Sequence, residues 1–217
     1  MKQDNESRLR QEIIRVARVV ADQGLIRSSD GNISVWLDEG RFLITPTGLH
    51  KMTMEPDDLI VVDWEGRVIK GQPGLRPTSE TWMHLEVYRQ RLDVGAVLHA
   101  HPPFATALTI AKVPFPVDLI PEVLLTLGDI PTAPYGTPGT EDLAHTIRDL
   151  VREHNAVLLS HHGSLTVGKT LEDALIALER VEHAARIFYL AKTLGTVKPL
   201  APEEIARLRE IGQRMRG

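Results

Sequence analysis

The chain has 217 residues, of which 42% are hydrophobic and 25% charged, a composition typical of folded globular proteins. Its formal net charge of −4 gives no electrostatic reason to expect a nucleic-acid partner, and its lack of cysteine excludes disulfides and thiolate metal ligands. Residues 1–10 lack the apolar core of a signal peptide and no apolar run approaches the ~18 residues of a membrane span, so we expect a cytoplasmic protein without a membrane partner.

The first half of the chain is predicted to contain two helices and four short strands. Apolar residues at helical spacing predict a helix over 7–24, which Gly24 ends. A second helix is predicted over 81–91, with Ser79 as its N-cap. Alternating or continuous apolar runs predict strands at 33–36, 41–45, 59–63 and 67–69, the last two forming a hairpin.

The second half is predicted to alternate strands with helices. Buried strands are predicted at 94–101 and 156–160, and Pro131 and Pro134 confine a weaker strand at 130–135 to a sheet edge. The predicted helices are 103–111, 140–154, 171–194 and 202–216. Without an internal repeat or a linker, this mixture favours one α/β domain over residues 1–217.

The segment from Val97 to Pro103 is the centre of the functional prediction. Its apolar run ends in His99 and His101, and residues two apart on a strand lie on one side, so both imidazoles suit a metal ion. Further ligands must come from other elements, and Glu80 and His162 are the candidates. Because His162 follows a second predicted strand, three imidazoles and an open coordination position could meet at one sheet edge, as in catalytic zinc sites.

Each of these residues also has an ordinary explanation. Strand ends are polar, so histidines belong there without a metal. A carboxylate in the first turn of a helix is favoured by the helix dipole alone. Among the remaining histidines, His84 lies four positions after Glu80 on one helical face, and we expect the others to be surface or hydrogen-bonded core residues.

Three turns carry hydroxyls, an amide and backbone N–H groups of the kind that bind phosphate. They are formed by Gly31 and Asn32, by Thr47 and Gly48, and by Thr78 and Ser79. Ordinary turn chemistry explains each of them about as well, so the residues alone leave a phosphate pocket as one of two interpretations.

Five segments together resemble the class II aldolase/adducin family, most of all its sugar-phosphate aldolases. They are Gly31-Asn32-Ile33-Ser34, Ile44-Thr45-Pro46-Thr47-Gly48, Pro77-Thr78-Ser79-Glu80, His99-Ala100-His101 and His161-His162-Gly163. Their order and separation match over nearly the whole chain, which is far more specific than any one motif.

The resemblance implies a metal site and a fold. It implies a zinc ion held by His99, His101 and His162, with Glu80 beside it as a ligand before substrate binds and as the acid/base afterwards. The implied fold is a central, largely antiparallel sheet flanked by helices. Family members usually assemble as a homotetramer with active sites at subunit interfaces.

The resemblance also implies a phosphorylated sugar substrate. The phosphate pocket would be built from Asn32, Thr47, Gly48, Thr78 and Ser79. The implied activity is that of a lyase of carbohydrate metabolism, which cleaves a ketose 1-phosphate to dihydroxyacetone phosphate and an aldehyde.

Other activities of the same family are alternatives. A sugar-phosphate dehydratase and a decarboxylase are not separated from an aldolase by these residues, whereas an epimerase is disfavoured because that branch has Asp where Glu80 stands. The intact histidines and Glu80 argue against a non-catalytic, adducin-like binding module. The aldolases that the chain resembles carry two tyrosines that aid the aldehyde half, and residues 102–134 and 201–217 contain none.

Overall fold

The computed structural model describes residues 2–38 and 40–216, and its strands form one eight-stranded sheet with helices on both faces. The strands are β1 (Asn32–Asp38), β2 (Arg41–Ile44), β3 (Ile60–Val62), β4 (Val68–Lys70), β5 (Ala96–Ala100), β6 (Thr132–Ala133), β7 (Ala156–Leu159) and β8 (Gly163–Gly168). The helices are α1 (Lys2–Asp22), α2 (Thr81–Gln90), α3 (Pro103–Ile110), α4 (Pro121–Thr126), α5 (Glu141–Ile147), α6 (Leu171–Leu194) and α7 (Pro202–Arg216). None of the described helices combines the length and apolar character needed to cross a bilayer.

The strand order across the sheet is β4-β3-β2-β1-β5-β8-β7-β6. The pair of β6 and β7 is parallel, and the other pairs in the described chain are antiparallel. The predicted α/β fold with a central, largely antiparallel sheet flanked by helices is therefore confirmed. The predicted hairpin is confirmed as β3 and β4, and the weaker strand lies at the sheet edge as expected.

Alternation along the two central strands separates the two faces of the sheet. Ile33 of β1 and Leu98 of β5 pack into a core with α1 and α6. Because successive residues point to opposite faces, Asn32 and Ser34 of β1 and His99 of β5 lie on the other face, which α2 covers. Asn32 pairs directly with His99 in the antiparallel register, so this face brings two of the candidate site residues together.

Helix α2 begins at Thr81, one residue later than a cap at Ser79 would place it. The prediction that Ser79 is the N-cap is wrong, because Glu80 occupies that position and the Ser79 side chain is exposed. The local hydroxyl contact comes from Thr78, whose Oγ1 accepts a hydrogen bond from the backbone N–H of Glu80 at 3.3 Å. Glu80 therefore lies at the entrance of the helix and not within its first turn.

The boundaries of several other elements differ from the prediction. Helix α1 runs from Lys2 to Asp22 and therefore begins earlier than the predicted helix. Its polar first turn carries no apolar periodicity, so the sequence pattern did not indicate it. The helix predicted over 140–154 is α5 followed by a separate 3₁₀ turn at Leu150–Arg152, since apolar spacing does not distinguish one helix from two helical turns that bury the same face. Strand β6 has two residues, because the prolines on either side of it cannot donate ladder hydrogen bonds.

Among the strands and α-helices of the described chain, two were not predicted. Strand β8 carries buried polar residues between two glycines, a pattern that is typical of a loop. Helix α4 has six residues, too few to show helical periodicity.

Helix α6 has the predicted bounds and a complete N-terminal cap. The hydroxyl of Thr170 accepts a hydrogen bond from the backbone N–H of Asp173 at 3.2 Å, and the Asp173 carboxylate accepts one from the backbone N–H of Thr170 at 3.0 Å. This capping box satisfies two backbone donors at the start of a helix that packs against both β5 and β8.

We expect Thr170→Ala to lower the free energy of unfolding by about 1 kcal/mol, because it removes the N-cap acceptor. Urea denaturation measures this change. Thr193→Ala is a matched control, since the hydroxyl of Thr193 donates to the carbonyl of Leu190 at the opposite end of the same helix and caps no N–H group. Equal losses in the two variants would contradict the capping role.

Candidate metal centre

Three imidazoles meet at one end of the sheet. His99 lies in β5, His101 follows it directly, and His162 lies in the turn between β7 and β8. One ring nitrogen from each lies within 4.8 Å of the others, a spacing that three ligands of one ion would have. The structure therefore brings together the three histidines that were predicted as metal ligands.

The carboxylate of Glu80 faces this cluster from the entrance of α2. Its Oε2 lies 3.1 Å from Nε2 of His99, and its Oε1 lies 3.4 Å from Nε2 of His162. Glu80 is buried, and its Oε2 also accepts a hydrogen bond from the Asn32 amide at 2.8 Å. Its Oε1 has no hydrogen-bond partner.

The hydrogen bonds of His99 indicate that this cluster needs a cation. Nδ1 of His99 lies 2.9 Å from the carbonyl oxygen of Ser164, so Nδ1 carries a proton and Nε2 of the neutral ring is a lone pair. That lone pair faces the Glu80 carboxylate and, at 3.0 Å, Nε2 of His101. Acceptors that face each other in a buried site require a proton or a metal ion between them.

The donor set fits a divalent metal ion. Three imidazole nitrogens and one carboxylate, with the unpartnered Oε1 of Glu80 among them, are ligands of the type that zinc binds. The hydrogen bond from His99 to the carbonyl of Ser164 is the contact that orients a metal-binding imidazole. His101, on its outer side, has Nδ1 at 3.8 Å from the Asp30 carboxylate.

The charges of the four groups in the metal-free protein follow from burial and from one ion pair. Burial opposes an imidazolium at His99, but the adjacent Glu80 carboxylate raises the pKa of this ring above its usual value. Burial likewise opposes ionisation of Glu80, and the His99 charge with the Asn32 hydrogen bond holds the pKa of Glu80 well below its usual range. Burial and the charge on His99 lower the pKa values of His101 and His162 to about 4, so both rings are neutral at pH 7 with lone pairs free for a metal.

The turn that carries His162 is shaped by residues on either side of it. A Cβ atom on Gly163 would lie 2.3 Å from the carbonyl oxygen of Ala100, so only glycine lets this turn approach the end of β5 so closely. His161 has a positive φ of 58°, and its backbone N–H donates to the hydroxyl of Thr109 at 3.1 Å. Thr109 lies in α3, directly after the histidine pair, so it joins the two parts of the cluster. Sequence reasoning missed Thr109, because a single threonine in an apolar helix carries no distinguishing signal.

The three predicted phosphate-binding turns are neighbours beside Glu80. The backbone N–H of Thr78 donates to the carbonyl of Thr45 at 3.1 Å, and that of Thr47 donates to the carbonyl of Arg76 at 3.0 Å. Thr45 in turn exchanges backbone and hydroxyl contacts with Ile33, directly after Asn32. Pairing of these segments therefore gathers the predicted residues Asn32, Thr47, Gly48, Thr78 and Ser79, of which Gly48 and Ser79 are exposed and can meet a ligand.

The side chain of Asn32 has a further role beside the carboxylate. Its Nδ2 donates to Glu80 and its Oδ1 lies 2.5 Å from Nε2 of His84. One amide hydrogen of Asn32 is therefore committed to Glu80. His84 is a hydrogen-bonded core residue with no exposed surface.

Comparison with known proteins assigns the family. The chain belongs to the class II aldolase and adducin family, whose N-terminal domain model matches residues 11–189. The 5-deoxy-D-ribulose 1-phosphate aldolase of Bacillus thuringiensis is 32% identical over 92% of this chain and 92% of its own length. The 3-oxo-tetronate 4-phosphate decarboxylase of Escherichia coli K12 is 31% identical over 94% of this chain and 96% of its own length.

A solved structure of L-fuculose 1-phosphate aldolase has the same fold. It superposes with a TM-score of 0.84 at 33% identity, covering 93% of this chain and 94% of that one. The resemblance to sugar-phosphate aldolases of this family is confirmed, and the relatives include both aldolases and a decarboxylase.

We expect His162→Asn to weaken zinc binding by more than about 100-fold, because an imidazole facing the cluster is lost and ligands contribute more than the residues that orient them. Competition with a chromophoric chelator measures the affinity. His161→Asn is the matched control, since this adjacent histidine is exposed and asparagine tolerates its positive φ. Unchanged zinc affinity in His162→Asn would contradict the assignment of His162 as a ligand.

We also expect the free energy of unfolding of the metal-free protein to fall as the pH is lowered from 6.5 to 4. Burial lowers the pKa values of His101 and His162 to about 4 and that of His84 to about 3, whereas unfolded histidines titrate near 6.5. In this window the unfolded chain binds protons that the folded protein does not, which favours unfolding. His99, whose pKa is raised, does not contribute to this loss of stability as the pH falls.

Urea midpoints at a series of pH values measure this dependence. His84→Gln should show a shallower decline, because one buried ring no longer titrates on unfolding. A pH-independent midpoint in the wild-type protein would contradict the expected neutral state of the buried rings.

Proposed function

We propose that this chain is a zinc-dependent aldolase that cleaves a ketose 1-phosphate to dihydroxyacetone phosphate and an aldehyde. The observation that carries the proposal is the buried Glu80 carboxylate facing three imidazoles, beside turns rich in phosphate-binding groups. Membership of the class II aldolase and adducin family supports the reaction class, and the relatives named as sugar-phosphate aldolases support the substrate class. The zinc ion would be held by His99, His101 and His162.

Each group has a role that its position supports. A divalent ion bound at the three histidines supplies the positive charge that stabilises a developing oxyanion on the substrate. Glu80 is the acid/base: ionised, it accepts the proton of the carbon next to the carbonyl in condensation, and it returns that proton to the same carbon after cleavage. The turns of Asn32, Thr47, Gly48, Thr78 and Ser79 would hold the phosphate through N–H and hydroxyl groups.

A decarboxylase is the second candidate, because a relative with that name matches as much of the chain as the aldolases do. Loss of carbon dioxide and loss of an aldehyde both leave an electron pair beside a carbonyl, so the same carboxylate and metal ligands suit either reaction. In a dehydratase or an epimerase this cluster would catalyse a different reaction. In a non-catalytic adducin-like binding module it would have no catalytic role.

Incubation of the zinc-loaded protein with a substrate panel separates these candidates. The panel contains 5-deoxyribulose 1-phosphate, L-fuculose 1-phosphate and 3-oxo-tetronate 4-phosphate, and the products are assayed as dihydroxyacetone phosphate and as carbon dioxide. Release of dihydroxyacetone phosphate from a ketose 1-phosphate supports the aldolase. Release of carbon dioxide together with dihydroxyacetone phosphate from 3-oxo-tetronate 4-phosphate, with neither ketose 1-phosphate cleaved, supports the decarboxylase, and no turnover on any substrate overturns both.

The proposed assembly is a cytoplasmic homotetramer, as the family resemblance implies. Exposed apolar side chains at Ile187, Leu190 and Leu194 recur on one face of α6 and support a subunit contact there. Light scattering coupled to size-exclusion chromatography measures the mass, and a monomer at micromolar concentration would contradict the proposal.

We expect Glu80→Gln to lower kcat at least about 100-fold while zinc binding is retained, because glutamine keeps the shape but cannot carry the proton. Steady-state kinetics and metal analysis of the same preparation measure both effects. The matched control is Glu86→Gln, which changes a second buried carboxylate on α2 that pairs with Arg148 away from the cluster. Wild-type turnover in Glu80→Gln would exclude Glu80 as the acid/base.

A further inference from the structure

A buried chain of hydrogen bonds runs from Glu80 into the core beneath α2. Asn32 lies next to Glu80 at 2.8 Å, and its Oδ1 lies 2.5 Å from Nε2 of His84. Nδ1 of His84 lies 2.7 Å from the Ser34 hydroxyl, which lies 2.8 Å from the hydroxyl of Tyr88. His84, Ser34 and Tyr88 have no exposed surface, so water does not replace any of these contacts.

The direction of every hydrogen bond in this chain follows from its first member. An ionised carboxylate only accepts, so the Asn32 contact must be through its Nδ2 donor, which leaves Oδ1 as an acceptor for Nε2–H of His84. A neutral ring with its proton on Nε2 accepts at Nδ1, so Ser34 donates there and in turn accepts from Tyr88. Burial lowers the pKa of His84 to about 3, which keeps the ring in this neutral form.

Two periodicities place these residues in one line. Glu80, His84 and Tyr88 are four residues apart and therefore lie along one face of α2. Asn32 and Ser34 are two apart on β1 and point to the face of the sheet that α2 covers. The helix face and the strand face interlock, so the polar side chains alternate between the two elements.

Such a chain is costly unless it is complete. Buried polar groups without partners destabilise a core, whereas connected donors and acceptors polarise one another and fix a single arrangement. Each of the four hydrogen bonds in this chain has its donor on the side away from the Glu80 carboxylate and its acceptor on the side towards it. Apolar residues at these positions would leave Oδ1 of Asn32 without its donor.

We propose that His84, Ser34 and Tyr88 are positioning residues, which hold the Asn32 amide in the orientation that directs the Glu80 carboxylate towards the three histidines. The proposal rests on the proposed function for its effect on turnover. Its structural content, the hydrogen-bond direction along the chain, stands apart from any reaction. Two kinds of measurement therefore test it.

The kinetic test removes one hydroxyl or one ring at a time from the zinc-loaded protein. Ser34→Ala should lower kcat about 10-fold with KM little changed, as for other residues that orient a metal-site ligand, and Tyr88→Phe should lower it less because it lies one bond further away. The double variant Ser34→Ala/Tyr88→Phe should match Ser34→Ala, since the chain is already broken. His84→Gln, which keeps a donor for Asn32, should recover part of the turnover that His84→Leu loses.

A control on the same helix separates positioning from loss of stability. Val87→Ala opens a cavity in the same core without touching the chain of hydrogen bonds, and it should leave kcat unchanged. Wild-type kcat in folded Ser34→Ala and His84→Leu would overturn the proposal, as would an equal loss in Val87→Ala.

The structural test needs no turnover and gives an answer even if the proposed function fails. Nitrogen-15 spectra of the histidine rings should show His84 protonated on Nε2, and the side-chain amide of Asn32 should exchange with solvent faster in His84→Leu than in the wild-type protein. A His84 ring protonated on Nδ1, or equal exchange of Asn32 in the two proteins, would overturn the proposed direction. A protein that passes this test but turns over no substrate would retain the arrangement and lose the proposed function.

Discussion

The contact between the carboxylate of Glu80 and Nε2 of His99 is the interaction on which the site depends. It joins the entrance of α2 to the end of β5, two parts of the chain that the sheet alone does not connect. Nδ1 of His99 donates its hydrogen to the carbonyl of Ser164. The contact with Glu80 therefore brings two acceptors, the Nε2 lone pair and the carboxylate, together in a buried site. A cation resolves this conflict, and the other two imidazoles lie where they would share it. The site is therefore defined both by the positions of its side chains and by two facing hydrogen-bond acceptors with no hydrogen of their own to share.

The sequence predicted the members of this cluster better than their mutual arrangement. Histidines at the ends of two apolar runs are visible as a pattern, and β5 and β7 do carry them to the same edge of the sheet. Which residue lies opposite which depends on strand register, and the direct pairing of Asn32 with His99 has no local signal. The carbonyl of Ser164 is likewise invisible, since any residue could supply it. Ser79 was predicted as the helix cap because serine is a preferred N-cap residue, but Glu80 occupies that position in the structure without a side-chain capping hydrogen bond.

The buried chain of hydrogen bonds under α2 carries a desolvation cost. His84, Ser34 and Tyr88 occupy positions that helical and strand periodicity assign to the core, and apolar residues there would avoid the desolvation of three polar groups. His84 was set apart from the other remaining histidines because it lies four positions after Glu80, and its link to Glu80 is real but indirect, through Asn32. Spacing of four along a helix identified the neighbour correctly. The spacing did not show that the side-chain amide of Asn32, from strand β1, lies between the side chains of Glu80 and His84.

The same part of the site suits an aldolase and a decarboxylase for a chemical reason. Both reactions break a carbon–carbon bond beside a carbonyl and leave the electron pair on the fragment that carries it, so both need an electrophile and a positioned carboxylate. The two reactions differ in the fragment that leaves. An aldehyde forms only when a substrate hydroxyl loses its proton, whereas an ionised carboxylate departs as carbon dioxide without losing a proton. Similarity over the whole chain does not separate them, because relatives with either name match it at 31–32% identity. The group that takes the hydroxyl proton is therefore what distinguishes the two reactions.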